Sequence, residues 1–461
     1  MKNNSRFAVL AISSMFVLAS CGGGSSASSS STKTDSSSTT TTSSQPASSS
    51  SSSGPISYNN VNTPIVVWAP AEEEAVIKDV VDAYNANQTV ETSKFNYKFT
   101  AVSESDGGTT LATDPQVTNY PSLVACADDH INNLVNKKII NPITGNLLNT
   151  IKANDSEFAV TCFTNNDNLY AFPITSDNGY FLWYDSTTIS DTQAESLETI
   201  LATAKAAGKK VLMDVPNGWY VNSFFMAPDA CGKDSLKWKQ TTDEDGVAHI
   251  SYDIGWDGEV GVKVATYIAS VLQPYYADGT LLTGGDAIIQ SGFTDGSMVA
   301  CVSGLWNEKV LSKIIPDSLR AAKLPTYTMD SKAYQMGSFS GSKGYVVNAF
   351  ASAGEQKAAY YLGNLLTQKA AQLVRFEKRA SIPCNTAALA DKSYTDAVSI
   401  GAKALNAQSA YASIQSSSAE GRYWDVGKAI GQALCDGDFG ELGTDWTTFL
   451  KANCEGLRKA N

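Results

Sequence analysis

A two-lobed α/β fold is predicted for the body of this 461-residue chain, and three observations carry the prediction. Short apolar runs rich in β-branched residues alternate with segments of helical period, the pattern of strand and helix units. Several of those runs end in polar and aromatic residues, as strands do where an open α/β sheet meets a ligand crevice. About 400 residues follow a Ser-rich leader, too many for one compact core and enough for two lobes.

The organising stretch runs from Pro64 to Glu74. Ile65-Val66-Val67-Trp68 reads as a strand buried on both faces, with Trp68 at its carboxyl end. Pro70 and small residues make a turn, and Glu72, Glu73 and Glu74 open a helix whose apolar face is Val76, Ile77, Val80, Val81 and Tyr84. Acidic residues there complement the positive end of the helix dipole. Tyr97 to Val102 is a second strand, followed by the polar Ser103-Glu104-Ser105-Asp106. Ser122 to Ala127 is a third; it ends in Asp128-Asp129-His130 and leads into a helix over residues 131–140. Thr175-Ser176-Asp177-Asn178-Gly179 is a polar, hinge-like centre between two apolar runs, where the chain leaves one lobe for the other.

A helix over 194–207 stops at Gly208, and Lys210 to Asp214 is a strand. The turn from Val215 to Tyr220 then presents Trp219 and Tyr220. Met298 to Ser303 is a buried strand that delivers Gly304-Leu305-Trp306-Asn307. Helices follow over 355–373 and 426–434, the second preceded by Arg422-Tyr423-Trp424-Asp425.

The leader places the protein outside the cytoplasm. Lys2 and Arg6 precede an apolar segment from Phe7 to Leu18, too short to span a bilayer and positioned as a signal peptide, residues 1–20. Leu18-Ala19-Ser20-Cys21 resembles a lipobox, which makes Cys21 the expected lipid attachment site. Residues 21–62, almost wholly Ser, Thr and Gly at first, have too little to bury to offset the entropy of ordering, and are expected to tether the body flexibly to the outer face of the cell membrane.

Charge and cysteine usage exclude other classes. The formal charge of −12 becomes −14 once Lys2 and Arg6 leave with the signal peptide, which argues against nucleic acid as a partner. Seven cysteines remain besides Cys21, none in a C-x-x-C pair, and His130 and His249 are the sole imidazoles, so no metal or other cofactor is expected. An exported chain can hold a disulfide, for which Cys435 and Cys454 are the first candidates; the odd count leaves at least one free thiol.

Trp68, Tyr220, Trp306 and Trp424 fall at junctions beside polar residues, outside any amphipathic stripe. Aromatic faces stack on the C–H faces of sugar rings while carboxylates and amides bind their hydroxyls. Over residues 64–461 the chain resembles the extracellular solute-binding lipoproteins of ABC importers, in particular the maltose- and maltodextrin-binding group. Val66-Val67-Trp68 with Glu72, Asp129 before Ile131-Asn132-Asn133-Leu134, Phe172-Pro173-Ile174-Thr175-Ser176-Asp177, Tyr220, Gly304-Leu305-Trp306 and Trp424 carry the resemblance. Where maltose binders place basic residues after the first-strand and third-strand carboxylates, this chain has Glu73 and His130, and it has Cys126 or its neighbours near a position that is often Trp.

The resemblance implies a type II periplasmic-binding-protein-like fold, with a ligand cleft between lobes joined by hinge crossovers. One lobe comprises residues 63–176 and 340–390, the other 177–339 and 391–461. It implies a monomeric binding protein without catalysis that delivers maltose or maltodextrin to a membrane permease. Trp68, Tyr220, Trp306 and Trp424 would stack on sugar rings, and Glu72, Asp129 and Asp177 would bind hydroxyls. A lipid-anchored glycoside hydrolase using two carboxylates, a binder of another sugar or small solute, and a structural surface lipoprotein are the alternatives. Asp243-Glu244-Asp245-Gly246 is a fragment of a calcium-loop pattern and reads as an exposed hairpin turn.

Overall fold

The computed structural model of the protein describes residues 56–117, 120–245 and 247–460. The residues expected to form the signal peptide, the lipid attachment site Cys21 and the tether up to residue 55 lie outside the described residues. Ten strands form one sheet: β1 (Ile65–Ala69), β2 (Tyr97–Ala101), β3 (Leu123–Ala127), β4 (Phe172–Asp185), β5 (Lys210–Leu212), β6 (Leu281–Leu282), β7 (Met298–Gly304), β8 (Leu319–Ala322), β9 (Ser338–Val347) and β10 (Ala412–Ile414). The order is β6-β5-β7-β4-β9-β3-β1-β2, with β8 added to β4 and β10 to β9.

Two parallel sets stand at opposite ends of this path. β1 pairs in parallel with β2 and β3, and β5 pairs in parallel with β6 and β7. The antiparallel strands β4 and β9 join them. β4 is a single strand of 14 residues where the sequence suggested a break. Its early residues Phe172 and Ile174 sit in a core with Val67, Ile77, Val124 and Leu362. Its later residues split by the two-residue period of a strand: Tyr180, Leu182 and Tyr184 face one core, Phe181 and Trp183 another. The polar centre thus lies within a strand that passes from one apolar core to two others.

The β1 helix runs from Glu74 to Ala86 and buries Val76, Ile77 and Val81. Other predicted elements change at their ends. The helix after β3 covers only Ile131–Asn136, because the chain turns at Lys138 with φ of 58°. The long helix predicted over 355–373 is two helices, Ala353–Thr367 and Lys369–Arg379, separated by Gln368 in an extended conformation. The turn at 215–220 is instead the start of a helix, Gly218–Phe225, capped by Asn217, whose side chain accepts from the Trp219 N–H. Trp424 lies in the first turn of a helix, Tyr423–Asp436, rather than ahead of it.

The tether ends before residue 62. Val61 is fully buried and its N–H donates to the Thr92 carbonyl, while Tyr58 packs edge-on against Tyr84, Phe95 and Tyr361. The Cys435–Cys454 disulfide is also corrected. Both are free thiols, buried in the same large core where they serve as small apolar side chains. Asp243 and its neighbours do form an exposed turn, between antiparallel strands Leu236–Thr242 and Ala248–Ile254.

Candidate functional site: a cleft walled by indoles and carboxylates

The carboxyl ends of six strands converge on one cavity of about 990 Å³. β1 delivers Pro70 and Glu72, β2 delivers Ser103 and Glu104, and β3 delivers Asp129 and His130. From the other parallel set, β5 delivers Pro216 to Trp219, β6 delivers Asp286, and β7 delivers Leu305 to Asn307. The joining strands add Thr175, Asp177 and Asn178 from β4 and Lys343 from β9. Within each parallel set the carboxyl ends share one edge, and the antiparallel strands β4 and β9 set the two groups running in opposite directions, so the cavity lies where the carboxyl ends of one set meet those of the other.

Three indoles line the wall: Trp219, Trp306 and Trp424. Trp219 is held by its Nε1–H, which donates to Gln415 Oε1 at 2.7 Å, and by the buried ring of Tyr180, 4.8 Å away between centroids. Its ring lies 5.8 Å from that of Trp306 at an interplanar angle of 31°. Trp306 donates from Nε1 to Asp286 Oδ1 at 3.1 Å, and Asn307 Nδ2 donates to the same oxygen at 2.6 Å. Gly304 is required by the close approach of the Trp306 ring, since a Cβ there would lie 1.9 Å from Cζ3. Trp424 reaches the wall because its helix crosses directly over the Val215–Gly218 segment. A Cβ at Gly431 would meet the Val215 carbonyl oxygen at 2.0 Å.

The carboxylates differ in freedom. Glu72 is exposed at the mouth. Asp177 is buried, and both its oxygens are occupied: Thr175 Oγ1 donates to Oδ1 at 2.6 Å and the Ile382 N–H to Oδ2 at 3.0 Å. Asp129 keeps a buried oxygen, Oδ1, without a hydrogen-bond partner. Beneath it, Asp128 accepts the Ser342 and Ser416 N–H groups at 3.2 Å each. Complete burial, with the Asp129 charge second, pushes its carboxyl up to about 7. Glu420 is likewise pushed up to about 7 by burial and by Asp129.

Two residues singled out in the sequence lie off the wall. Trp68 is 8% exposed and packs in the core with Val67 and Val124, because β1 is covered on both faces and the chain turns toward the cavity only at Pro70. Tyr220 sits behind Trp219, 4.8 Å from Tyr180, its hydroxyl pushed far up by burial. The cap at Asn217 fixes which of the two neighbouring aromatics turns to the cavity. Glu72, Asp129, Asp177, Trp306 and Trp424 do line it. Sequence reasoning noted Trp219 and Glu104 at element ends without assigning them to the site, and missed Asp286, Lys343 and Gln415 as wall residues. The Asn-Gly-Trp start of a helix was the one local signal available.

Glu73, which departs from the maltose-binder pattern, points away from the cavity. It is fully buried and accepts from Arg375 Nε and Nη2, both at 2.9 Å, from Arg379 Nη1 at 2.5 Å and from the Tyr345 hydroxyl at 3.1 Å. The basic partners come from the helix Lys369–Arg379, and Arg379 itself also lines the cavity. Among the described residues no group of three or more His, Cys, Asp or Glu is arranged to hold a metal, and no helix is long and apolar enough to cross a membrane.

Comparison with known proteins places this architecture. The profile of the bacterial extracellular solute-binding protein family matches residues 79–402. A maltodextrin-binding protein of L. casei BL23 superposes with a TM-score of 0.67 at 17% identity, over 87% of this chain and 100% of that one. The maltose-maltodextrin binding protein of Alicyclobacillus acidocaldarius gives 0.66 at 17% identity, over 86% and 100%. At such identities the likeness is one of fold. The galactooligosaccharide-binding protein of Bacillus subtilis (strain 168) is 32% identical over 138 residues, which span 28% of this chain and 30% of that relative's length. All three are binding proteins, and the family is one of exported proteins. With the profile covering well over half its length, the chain belongs to the bacterial extracellular solute-binding protein family.

Proposed function

We propose that the protein is the substrate-binding component of an ABC importer, that it captures neutral oligosaccharides of the maltodextrin type, and that it hands them to a membrane permease without chemical change. The observation that carries this reading is the cavity wall itself. Trp219, Trp306 and Trp424 offer faces for sugar C–H groups, and Glu72, Glu104 and Asp129 offer acceptors for hydroxyls within the same 990 Å³. The structural relatives named for maltodextrin support it at the level of fold.

The mechanism follows from the placement of the cavity. The core around Val67 and Leu362 and the cores around Tyr180 and Phe181 act as the bodies of two lobes, with β4 and β9 as the hinge crossovers. Ligand held by walls from both bodies favours the closed state by the difference between its affinities for closed and open forms, and by no more than that. The closed form is the one that docks on the permease. Lipid at Cys21 and the tether keep the monomeric body near the membrane.

A second sugar class is favoured by one observation, the 32% identity to a galactooligosaccharide binder over 138 residues. Calorimetric titration with maltose, maltotriose and galacto-oligosaccharides, with product analysis by chromatography, tests both. Saturable one-to-one binding of either sugar class without turnover supports the reading and chooses the class. Cleavage of a glycosidic bond would replace it by the hydrolase alternative.

A further inference from the structure

Three groups in the cavity wall form a corner of unusual spacing. Glu104 Oε1 lies 3.9 Å from Lys343 Nζ and 4.0 Å from Arg379 Nη2. Their side chains are 15%, 12% and 14% exposed, so they are mostly shielded while still lining the cavity. Neither distance is a hydrogen bond, and Oε1 is a buried acceptor with no hydrogen-bond partner. Leaving such an acceptor unmet is unfavourable, and more so when the group is charged. The Arg379 guanidinium is anchored on Glu73 through Nη1, which holds it on the far side of the gap. The Lys343 ammonium is drawn the other way, over the Trp306 ring at 5.2 Å from its centroid.

We infer that Glu104 and Lys343, backed by Arg379, form a hydroxyl-reading subsite for a neutral sugar, with the adjoining Trp306 as its stacking platform. One oxygen about 2.8 Å from both Glu104 Oε1 and Lys343 Nζ would sit off the line joining them, reached once the Lys343 ammonium turns and uncovers the buried Oε1, donating its proton to the carboxylate and accepting from the ammonium. Such a bridge needs a group that is donor and acceptor at once, which a hydroxyl is and a carboxylate ligand is not. The ammonium leaves the face of Trp306 as it turns to the hydroxyl, and the freed indole takes the C–H face of the same ring. The inference rests on the oligosaccharide reading given above and extends it to residues that recognise the ligand.

The test is a double-mutant cycle of Glu104→Gln and Lys343→Met, with maltotriose, a galacto-oligosaccharide of three units and an oligogalacturonate titrated into the purified protein, and melting measured on each variant. Each single variant is expected to lose tenfold or more in affinity for the neutral sugar that the parent binds, with the melting temperature nearly kept. The double variant is expected to lose little beyond the worse single one, since one hydroxyl bridges both groups. Parent-like affinity in Glu104→Gln, or full additivity, would overturn the subsite and leave the sugar reading intact. Preference for the oligogalacturonate, strengthened in Glu104→Gln, would also overturn it, by assigning the corner to an anion. Failure of the parent to bind any of these sugars would overturn the sugar reading and this inference together.

Discussion

Replacing Glu73 by Ala strips a fully buried cation of its partner. Arg375 is 0% exposed and gives Glu73 its Nε and Nη2 hydrogens; without the carboxylate, its remaining hydrogen bond is the long one from Nη1 to the Leu366 carbonyl at 3.4 Å. Breaking a buried pair by removing one member costs about 3–5 kcal/mol. Proton linkage gives the same direction and a similar order of magnitude. Burial alone would raise the Glu73 carboxyl, but the charges of Arg375 and Arg379 overcome it and hold the group at about 2, below the ordinary 4.5 of a glutamate. That difference corresponds to roughly 3 kcal/mol at about 1.4 kcal/mol per unit. Because the folded-state value is depressed, this stability is fully present above pH 4.5 and is lost as pH falls toward 2. Urea denaturation of the parent and Glu73→Ala at pH 7 and at pH 3 should therefore show a loss of about 3–5 kcal/mol at pH 7 and a smaller gap at pH 3. A loss under about 1 kcal/mol at pH 7, or a gap that does not narrow with acid, would refute the assignment of the ion pair as a structural brace.

Three further outcomes follow from the placement of single groups. Trp219→Ala should weaken oligosaccharide binding roughly tenfold to a hundredfold, the loss of one stacked indole, whereas Tyr220→Phe should leave it unchanged in the same titration. Trp68→Ala should destabilise the fold by about 3–5 kcal/mol in urea, while Trp68→Phe should keep ligand affinity at the parent value. Asp128, Asp155 and Glu420 are each pushed up to about 7, in every case by burial first. Their folded-state values are raised, so stability is greatest below the unfolded value near 4 and is lost as pH rises toward 7. Calorimetry should find a higher melting temperature at pH 5 than at pH 8, and Asp155→Asn should flatten that slope.

Some strands were legible because an apolar run ended in a turn or a polar residue, while β9, whose run Tyr345-Val346-Val347 follows a Ser- and Gly-rich start, was not. Ile65-Val66-Val67-Trp68 before Pro70, Leu123 to Ala127 before Asp128, and Met298 to Ser303 before Gly304 all declare themselves by composition, and they form β1, β3 and β7. The break at Gln368 was not legible, because neither Gly nor Pro marks it and the apolar period runs on from Leu365 and Leu366 to Ala371. The ends of helices suffered similarly where a left-handed residue such as Lys138 stops the chain.

In the site, strand-end residues could be read because their position relative to a strand is local information. Asp129, Trp306 and Glu72 are of that kind. Trp68 misled because a residue at a strand end can still face the core, and only the covering helices decide which way it points. Lys343 and Gln415 gave no local signal; they reach the cavity through pairings with strands and loops over a hundred residues away. Glu73 read as a departure from a ligand-binding pattern until Arg375, 302 positions later, supplied its partner.

The central claim is that the cleft binds a neutral oligosaccharide and releases it intact. Isothermal titration of the purified protein with maltotriose and with a galacto-oligosaccharide, followed by chromatography of the sugar, tests it most directly. The account predicts saturation at one ligand per chain by at least one of the two, with the sugar recovered unchanged. No heat from either sugar, or recovery of shorter products, would contradict it.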